Sequence, residues 1–381
     1  MMSTTDPDSL THPPTDQLHA ALTVCLMPGV GPRLQAALLE RFGTPECVLQ
    51  QNVESLLSVD GIGRQIANRM VSPIHAAAAT EMLQRCQSLG VTLLQKGRAP
   101  YPTGLQQVAD SPLLLFCRGD IQPTDELAVA IVGSRRCTAY GRRTAQRLAG
   151  SLARAGFTIV SGLARGIDAA AHRGALEAGG RTLAVMATGV KTIYPPEHAE
   201  LAVEITKQGA LVSEFPLDTQ PRPGLFPQRN RIISGLSLGV IVVEANRSSG
   251  ALYTARHAFE QGREVFALPG QIDSLASEGC HDLIRDGATL IRHVDDVLEE
   301  LGPLSTPATT AESLTVHDPR ELALNPQEKD VLNLISTSPI SIDELIRTSE
   351  LPMARVLSTL TVLEMKRFVR RLPGSMLVRN S

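Results

Sequence analysis

The clearest pattern in the chain is a short unbroken apolar run that stops at small residues and gives way to a helical repeat. Ala128 to Val132 is such a run; it ends at Gly133-Ser134-Arg135-Arg136, and an amphipathic pattern follows from about 139 to 155. Phe157 to Val160 repeats the scheme, ending at Ser161-Gly162, with Gly166 and Asp168 before the next helix. A strand buried on both faces reads as continuous apolar sequence, so tandem units of this kind predict a parallel sheet covered by helices. The pattern continues through strands at 182–189, 210–215, 237–245, 264–270 and 288–292, after a strand-like 113–116, and closes with a helix over about 293–301. The fold class is α/β: a doubly wound, Rossmann-like, mostly parallel sheet.

Different patterns flank this region. Residues 1–16 are polar and read as a disordered tail. Residues 17–96 read as a helical domain with two related pieces, 28–43 and 59–70, each an apolar residue between two glycines followed by a helix. That is the helix-hairpin-helix pattern, in which amides at a glycine turn approach a phosphate. The same glycines would serve as plain turns in a protein-docking domain, and with only Arg33 and Arg64 beside them both readings stay open. The α/β domain takes 97–302, and the Pro/Ser/Thr-rich stretch 303–325 reads as a linker. Residues 326–381 show three helical patterns, about 327–336, 342–348 and 353–366, then two short strands around Pro373-Gly374, which predicts a winged helix. Lys366, Arg367, Arg370, Arg371 and Arg379 gather near the wing, and this module admits either duplex DNA or a protein partner.

Composition narrows the chemistry. Among 381 residues, 36 Lys and Arg stand against 39 Asp and Glu, so contact with a polyanion would need local clusters of cations. Such clusters exist: Arg135, Arg136, Arg142, Arg143, Arg147 and Arg154 have no acid among them, nor do Arg222, Arg229 and Arg231. The six cysteines form no C-x-x-C pair, so neither a disulfide frame nor a zinc site is indicated. No stretch approaches transmembrane length and the N-terminus lacks an apolar core, which predicts a soluble cytoplasmic protein without membrane contact.

The loops at the strand ends carry the rest. No G-x-G-x-x-G follows the first strand and no G-x-x-x-x-G-K-[ST] occurs, so neither a dinucleotide cofactor nor a Walker-type ATPase is expected. What remains is Gly133, Ser134, Arg135 and Arg136; Ser161, Gly162 and Gly166; Gly189 and Lys191; and Phe226, Arg229, Asn230 and Arg231. All lie at expected carboxyl ends of strands or in the long loop leaving one, and should converge on a single rim. Small residues for close approach, arginines for phosphate and one phenylalanine for stacking suit a nucleic-acid backbone. The plainer alternative is that 226–233 begins a buried helix with arginines in salt bridges, and that Gly162 and Gly166 only permit tight packing. Asp168 and Glu244 could form an acid and base pair, but a helix cap for Asp168 and pairing with rim arginines for Glu244 explain them more simply. No metal, cofactor or catalytic residue is assigned.

IVGSRR, SGLARGIDAAAH, ATGVKTIYP, LVSEFP, FPQRNRIISGLS, VVEA, SGALYTARHA, ALPG and LIRDGA, in that order, closely resemble the DNA-processing protein A (DprA/Smf) family over about 110–301. The flanks resemble its longer members, with a sterile-alpha-motif-like or helix-hairpin-helix-like domain before and a winged helix after. The resemblance implies a homodimer without catalytic activity that binds and shields single-stranded DNA in natural transformation and loads the recombinase RecA. Single-strand binding protein is a further expected partner, and duplex DNA one for the end domains. It also implies that Ser134, Arg135, Gly162, Lys191, Phe226, Arg229 and Asn230 line the strand-binding pocket. Ala187 stands where the family usually has glycine, and Lys191 where it commonly has an acid. The competing readings are a nucleotide-processing, phosphoribohydrolase-like enzyme and a pure adaptor. The first would need P-G-G-x-G-T-x-x-E after a strand, and 248–260 lacks the paired glycines.

Overall fold

The computed structural model describes residues 15–301, 308–309, 315–336 and 338–380. Most of the tail expected over 1–16 and much of the linker expected over 303–325 therefore lie outside the described residues. The chain divides into two compact units, Met1–Val297 and Leu298–Ser381. Among the described residues no helix is long and apolar enough to cross a membrane.

The first unit opens with six helices, α1 Thr15–Leu26, α2 Pro32–Phe42, α3 Pro45–Leu49, α4 Val53–Leu56, α5 Arg64–Met70 and α6 Ile74–Ser88. The two glycine hairpins are built alike. Gly29 (φ 88°) and Gly61 (φ 85°) take the left-handed turn that only glycine adopts cheaply, while Gly31 and Gly63 cap α2 and α5 in extended conformation. Then follow β1 Val91–Gln95, α7 Thr103–Gln106, β2 Leu114–Gly119, β3 Ala128–Val132, α8 Ala139–Arg154, β4 Thr158–Ser161, α9 Ile167–Glu177 and β5 Thr182–Val185. After these come α10 Ala199–Lys207, β6 Gly209–Ser213, α11 Leu225–Gly235, β7 Gly239–Val242, α12 Ala251–Glu260, β8 Glu264–Ala267, α13 Glu278–Arg285 and β9 Thr289–Leu290, and α14 Val294–Glu300 spans the division between the units.

The strands form one sheet in the order β1-β2-β6-β5-β4-β3-β7-β8-β9. From β6 to β9 all neighbours are parallel, and β2 runs antiparallel to both β1 and β6. The chain winds outward from β3 to β6, crosses back through α11, and winds the other way from β7. The switch of direction therefore falls between β3 and β7, where such sheets open a crevice.

Several expectations need correction. β1 lies inside the stretch assigned to the helical domain, yet it belongs to the sheet. Nor is the helical stretch a separate body: Leu22, Leu38 and Leu56 share one apolar core with Leu114, Phe116, Ala184, Met186 and Leu211 of the sheet. The opposite face packs Leu115, Val160, Val185 and Val242 against Ile232, Ile233 and Ala255 of α11 and α12. Residues 225–235 form a helix where a loop was expected, and Pro227 is tolerated because it falls in the first turn, whose N–H groups have no partner within the helix.

In the second unit β10 Ala308–Thr309 pairs with β11 Thr315–Val316. α15 Pro326–Asn333, β12 Ile340–Ser341, α16 Ile342–Thr348, α17 Met353–Met365, β13 Val369–Leu372 and β14 Met376–Arg379 then build the winged helix around Val331, Leu345, Leu360, Leu363 and Leu377. Its three-stranded sheet includes β12, too short to show a periodicity. Three of the five cations expected to serve the wing are neutralised within the unit: Lys366 by Glu328, Arg371 by Glu364 and Arg379 by Glu321.

Candidate nucleic-acid interface

The carboxyl ends of β3 and β7 lie side by side, with Val132 paired to Val242, and the loops leaving them part around a cleft of about 830 Å³. Gly133 to Arg136, α11 with the 221–223 segment, and the turn from Asn246 into α12 line it. The glycines hold loop against loop. A Cβ at Gly133 would stand 2.9 Å from Glu244 O, and one at Gly166 (φ 77°) 2.9 Å from Arg135 O. Ser134 N donates to Glu244 O at 2.7 Å, and Ser134 Oγ accepts from Arg136 N at 3.1 Å. These backbone contacts fix where Arg135 and Arg136 emerge.

Arg135 stacks its guanidinium over the ring of Phe226, 4.8 Å from the centroid, and the Tyr194 ring lies 5.8 Å from that of Phe226. Arg135, Arg136 and Arg222 are exposed on the cleft. Among the described residues none of the three has a carboxylate partner. A guanidinium held over an aromatic face keeps its outward N–H groups free for phosphate, and the aromatic pair offers an edge for a base.

Arg229 also reaches the cleft but is only 4% exposed. Its Nη1 donates to Gly162 O at 2.7 Å and to Val185 O, and Nε donates to Asn230 Oδ1 at 3.2 Å. Burial pushes its pKa down to about 10, and Asp168 opposes that fall. Asn230 Nδ2 in turn donates to Gly250 O at 3.1 Å. Arg229 is therefore a strut across the loops after β4 and β5, with little of its charge facing solvent. Arg231, two residues on, points away and is buried between Glu214 and Asp110. The alternative of a buried helix with paired arginines describes Arg231.

Five other expected residues do not line the cleft: Gly162 and Gly166, which pack against Arg229 and the 134–135 backbone, and three that lie elsewhere. Ser161 is buried, its hydroxyl donating to Ile131 O at 2.6 Å. Gly189 is closed over by Pro216 and Leu217, and its N donates to Thr219 O at 3.1 Å. Lys191 donates to Asp218 at 3.1 Å, and Asp218 also takes Arg85 of α6. Tyr194 is not among the expected residues, and Arg222 enters the sequence reading only as part of an acid-free cluster; their signal is an aromatic and a cation in loops at the same strand ends.

The two rim carboxylates are held by other groups than expected. Asp168 sits inside the first turn of α9 and accepts from Gly162 N (3.2 Å) and Ala164 N (3.3 Å), so it ties the β4 loop instead of capping its helix. Burial raises its pKa, against the pull of Arg229. Glu244 accepts from Thr138 N (2.8 Å) and Thr138 Oγ1 (2.5 Å), fastening the start of α8 and leaving the rim arginines alone. Among the described residues no cluster of His, Cys, Asp and Glu is placed to hold a metal.

Fold and site together define a class: doubly wound α/β proteins with a cationic cleft at the strand switch point, preceded in sequence by paired glycine hairpins and followed by a winged helix. Residues 92–302 match the family model described as DNA recombination-mediator protein A, 316–375 the DprA winged helix domain, and 22–74 a SAM-like helix-hairpin-helix tandem. The chain belongs to the DNA recombination-mediator protein A (DprA/Smf) family. It is 43% identical to Protein Smf of Escherichia coli over 72% of this chain and 74% of that one, and 37% identical to DNA processing protein DprA of Bacillus subtilis over 75% and 96%. The X-ray structure of DprA from Streptococcus pneumoniae superposes with a TM-score of 0.65 at 32% identity, covering 74% of this chain and 98% of that one. A DNA processing protein A from Helicobacter pylori, solved for its single-stranded DNA binding mode, gives a TM-score of 0.50 at 32% identity over 54% and 93%.

Proposed function

We propose that this protein binds single-stranded DNA in the cleft between β3 and β7 and, as a homodimer in natural transformation, shields incoming strands and loads RecA onto them. The observation that carries the reading is Arg135 stacked on Phe226 beside unpaired Arg136 and Arg222. Charge and aromatic surface there meet sugar-phosphate and base together. The Helicobacter pylori relative studied for single-stranded DNA binding supports the same ligand. Gly133, Ser134, Arg135, Arg136, Phe226 and Asn230 line the binding surface in this reading, Gly162, Gly166 and Arg229 support it, and Ser161, Gly189, Lys191 and Arg231 stay outside it. For the dimer, the free edge of β9 and the half-exposed Leu290 offer a self-association face. Single-strand binding protein is the partner that loading would displace. The reading assigns no catalysis, since Asp168 and Glu244 are occupied by loop amides and Thr138.

Fluorescence anisotropy with labelled oligothymidine tests it. Affinity should fall steeply with salt, with a slope of about −0.7 per phosphate contacted, and Arg135→Ala should weaken binding whatever the base sequence. Binding that ignores both salt and Arg135 would remove the cleft from consideration. Stimulation of RecA filament formation on strands coated with single-strand binding protein tests the loading step.

A further inference from the structure

The cleft accounts for two of the six acid-free arginines between 133 and 154; the other four are on α8. Its inner face buries Thr144, Ala145, Leu148, Ala149 and Leu152 against the sheet. Tyr140, Arg143, Arg147 and Arg154, spaced i, i+3, i+7, i+14, fall on one outward stripe of a 3.6-residue helix, with the buried Gly150 between the last two packed against α9. Tyr140 is 54% exposed, and all three arginines of the stripe are exposed. Among the described residues none of the three is in an ion pair. Arg143, Arg147 and Arg154 line a shallow groove of about 410 Å³ between α8 and α9. Its floor is backbone, because Gly150 and Gly174 bring the helices together: a Cβ at Gly150 would lie 3.1 Å from Gly174 O. The one carboxylate in the groove, Glu177, is engaged by Gln146 Nε2 at 2.6 Å.

We infer that this stripe is a second tract for the same strand of DNA, taking the segment that leaves the cleft; the inference rests on the reading of the cleft given above. Continuity supports it. α8 is capped by Thr138, three residues after Arg135, so rim and stripe belong to one loop and its helix. Composition supports it too. Unpaired guanidiniums beside an exposed aromatic ring form a surface for sugar-phosphate and a stacked base. At 1.5 Å per residue Arg143 and Arg154 are about 16 Å apart along the axis, room for several nucleotides. The cleft grips a short piece of strand, and α8 extends the grip without a further pocket.

The test compares full-length protein on labelled oligothymidines of roughly 6 and roughly 20 nucleotides, bracketing usual single-strand site sizes. The double variant Arg143→Ala/Arg147→Ala should bind the long strand about tenfold more weakly and lower its salt slope by about 1.4, that is about 0.7 for each of two phosphates. Tyr140→Ala should weaken the long strand with the slope unchanged. The short strand should be held as before by both variants. Unchanged long-strand affinity in the double variant, or equal loss at both lengths, would overturn the inference. So would a change in its mass by light scattering, which would show the stripe covered instead by another copy. Unmodified protein that binds neither length would overturn the reading of the cleft instead.

Discussion

The guanidinium of Arg229 fills the space that a side chain at position 162 would need. An ideal Cβ on Gly162 would lie 2.5 Å from Arg229 Cζ, and Nη1 donates to the carbonyl of the same glycine at 2.7 Å. The glycine is there for the arginine, and the arginine for the loops: through Gly162 O and Val185 O it pins α11, and with it Phe226, to the ends of β4 and β5.

Gly162→Ala should therefore cost about 2 kcal/mol, as overpacking of a tight site does. In an Arg229→Met background the same alanine should cost less, by more than about 0.5 kcal/mol, because the two groups compete for one volume. Urea unfolding of the four proteins gives the cycle, and strictly additive costs would show that they do not compete.

Two arginines of the rim region should respond in opposite ways. Arg135→Ala removes an exposed cation, so oligothymidine affinity should drop about tenfold with the unfolding midpoint unmoved. Arg231→Ala leaves Glu214 buried without its cation and should cost about 3–5 kcal/mol. A stable Arg231→Ala protein with impaired DNA binding would reverse the two assignments.

Lys191→Ala should change oligothymidine affinity by less than about twofold, since Lys191 is paired with Asp218 and lies off the cleft. A loss as large as that of Arg135→Ala would place the loop after β5 in the strand's path.

His172 is fully buried; Nδ1 lies 2.7 Å from Thr182 Oγ1, and burial pushes its pKa down to about 3. The unfolded chain protonates this imidazole near pH 6.5 and the folded protein does not. Its contribution to stability is thus intact above pH 6.5 and is lost progressively on acidification toward 3. Between pH 6.5 and 5 the wild-type protein should lose about 1.6 kcal/mol relative to His172→Leu, the slope rising from half of 1.36 kcal/mol per pH unit at pH 6.5 to nearly the whole of it by pH 5. Urea midpoints for both proteins at several pH values measure the difference, and a constant gap would mean that the imidazole titrates normally.

The sheet and the rim are legible together in the sequence. The βαβ alternation is a signal of period and length, and Gly133 to Arg136 sit where the first apolar run breaks, so locating the strand also locates the loop. α11 enters the sequence reading only as an alternative to a loop, because Pro221, Pro223 and Pro227 interrupt the pattern. Only the helix reveals why Phe226 and Asn230 face the cleft while Arg231, about 100° further round per residue, does not. β1 is hidden because VTLLQ acquires meaning only by pairing with β2, a contact its own five residues do not encode. The position of Lys191 off the cleft depends on Asp218, distant in sequence, standing beside it.

The shared core beneath the opening helices bears on how the protein can be cut. Removing everything before β1 would strip the cover from Leu114, Phe116, Ala184 and Met186 and break the tie from Arg85 to Asp218. A fragment trimmed to its α/β portion would carry an oily flank into water and clump or seek a substitute. The glycine-hairpin helices are best regarded as a wall of the house, whatever else they touch.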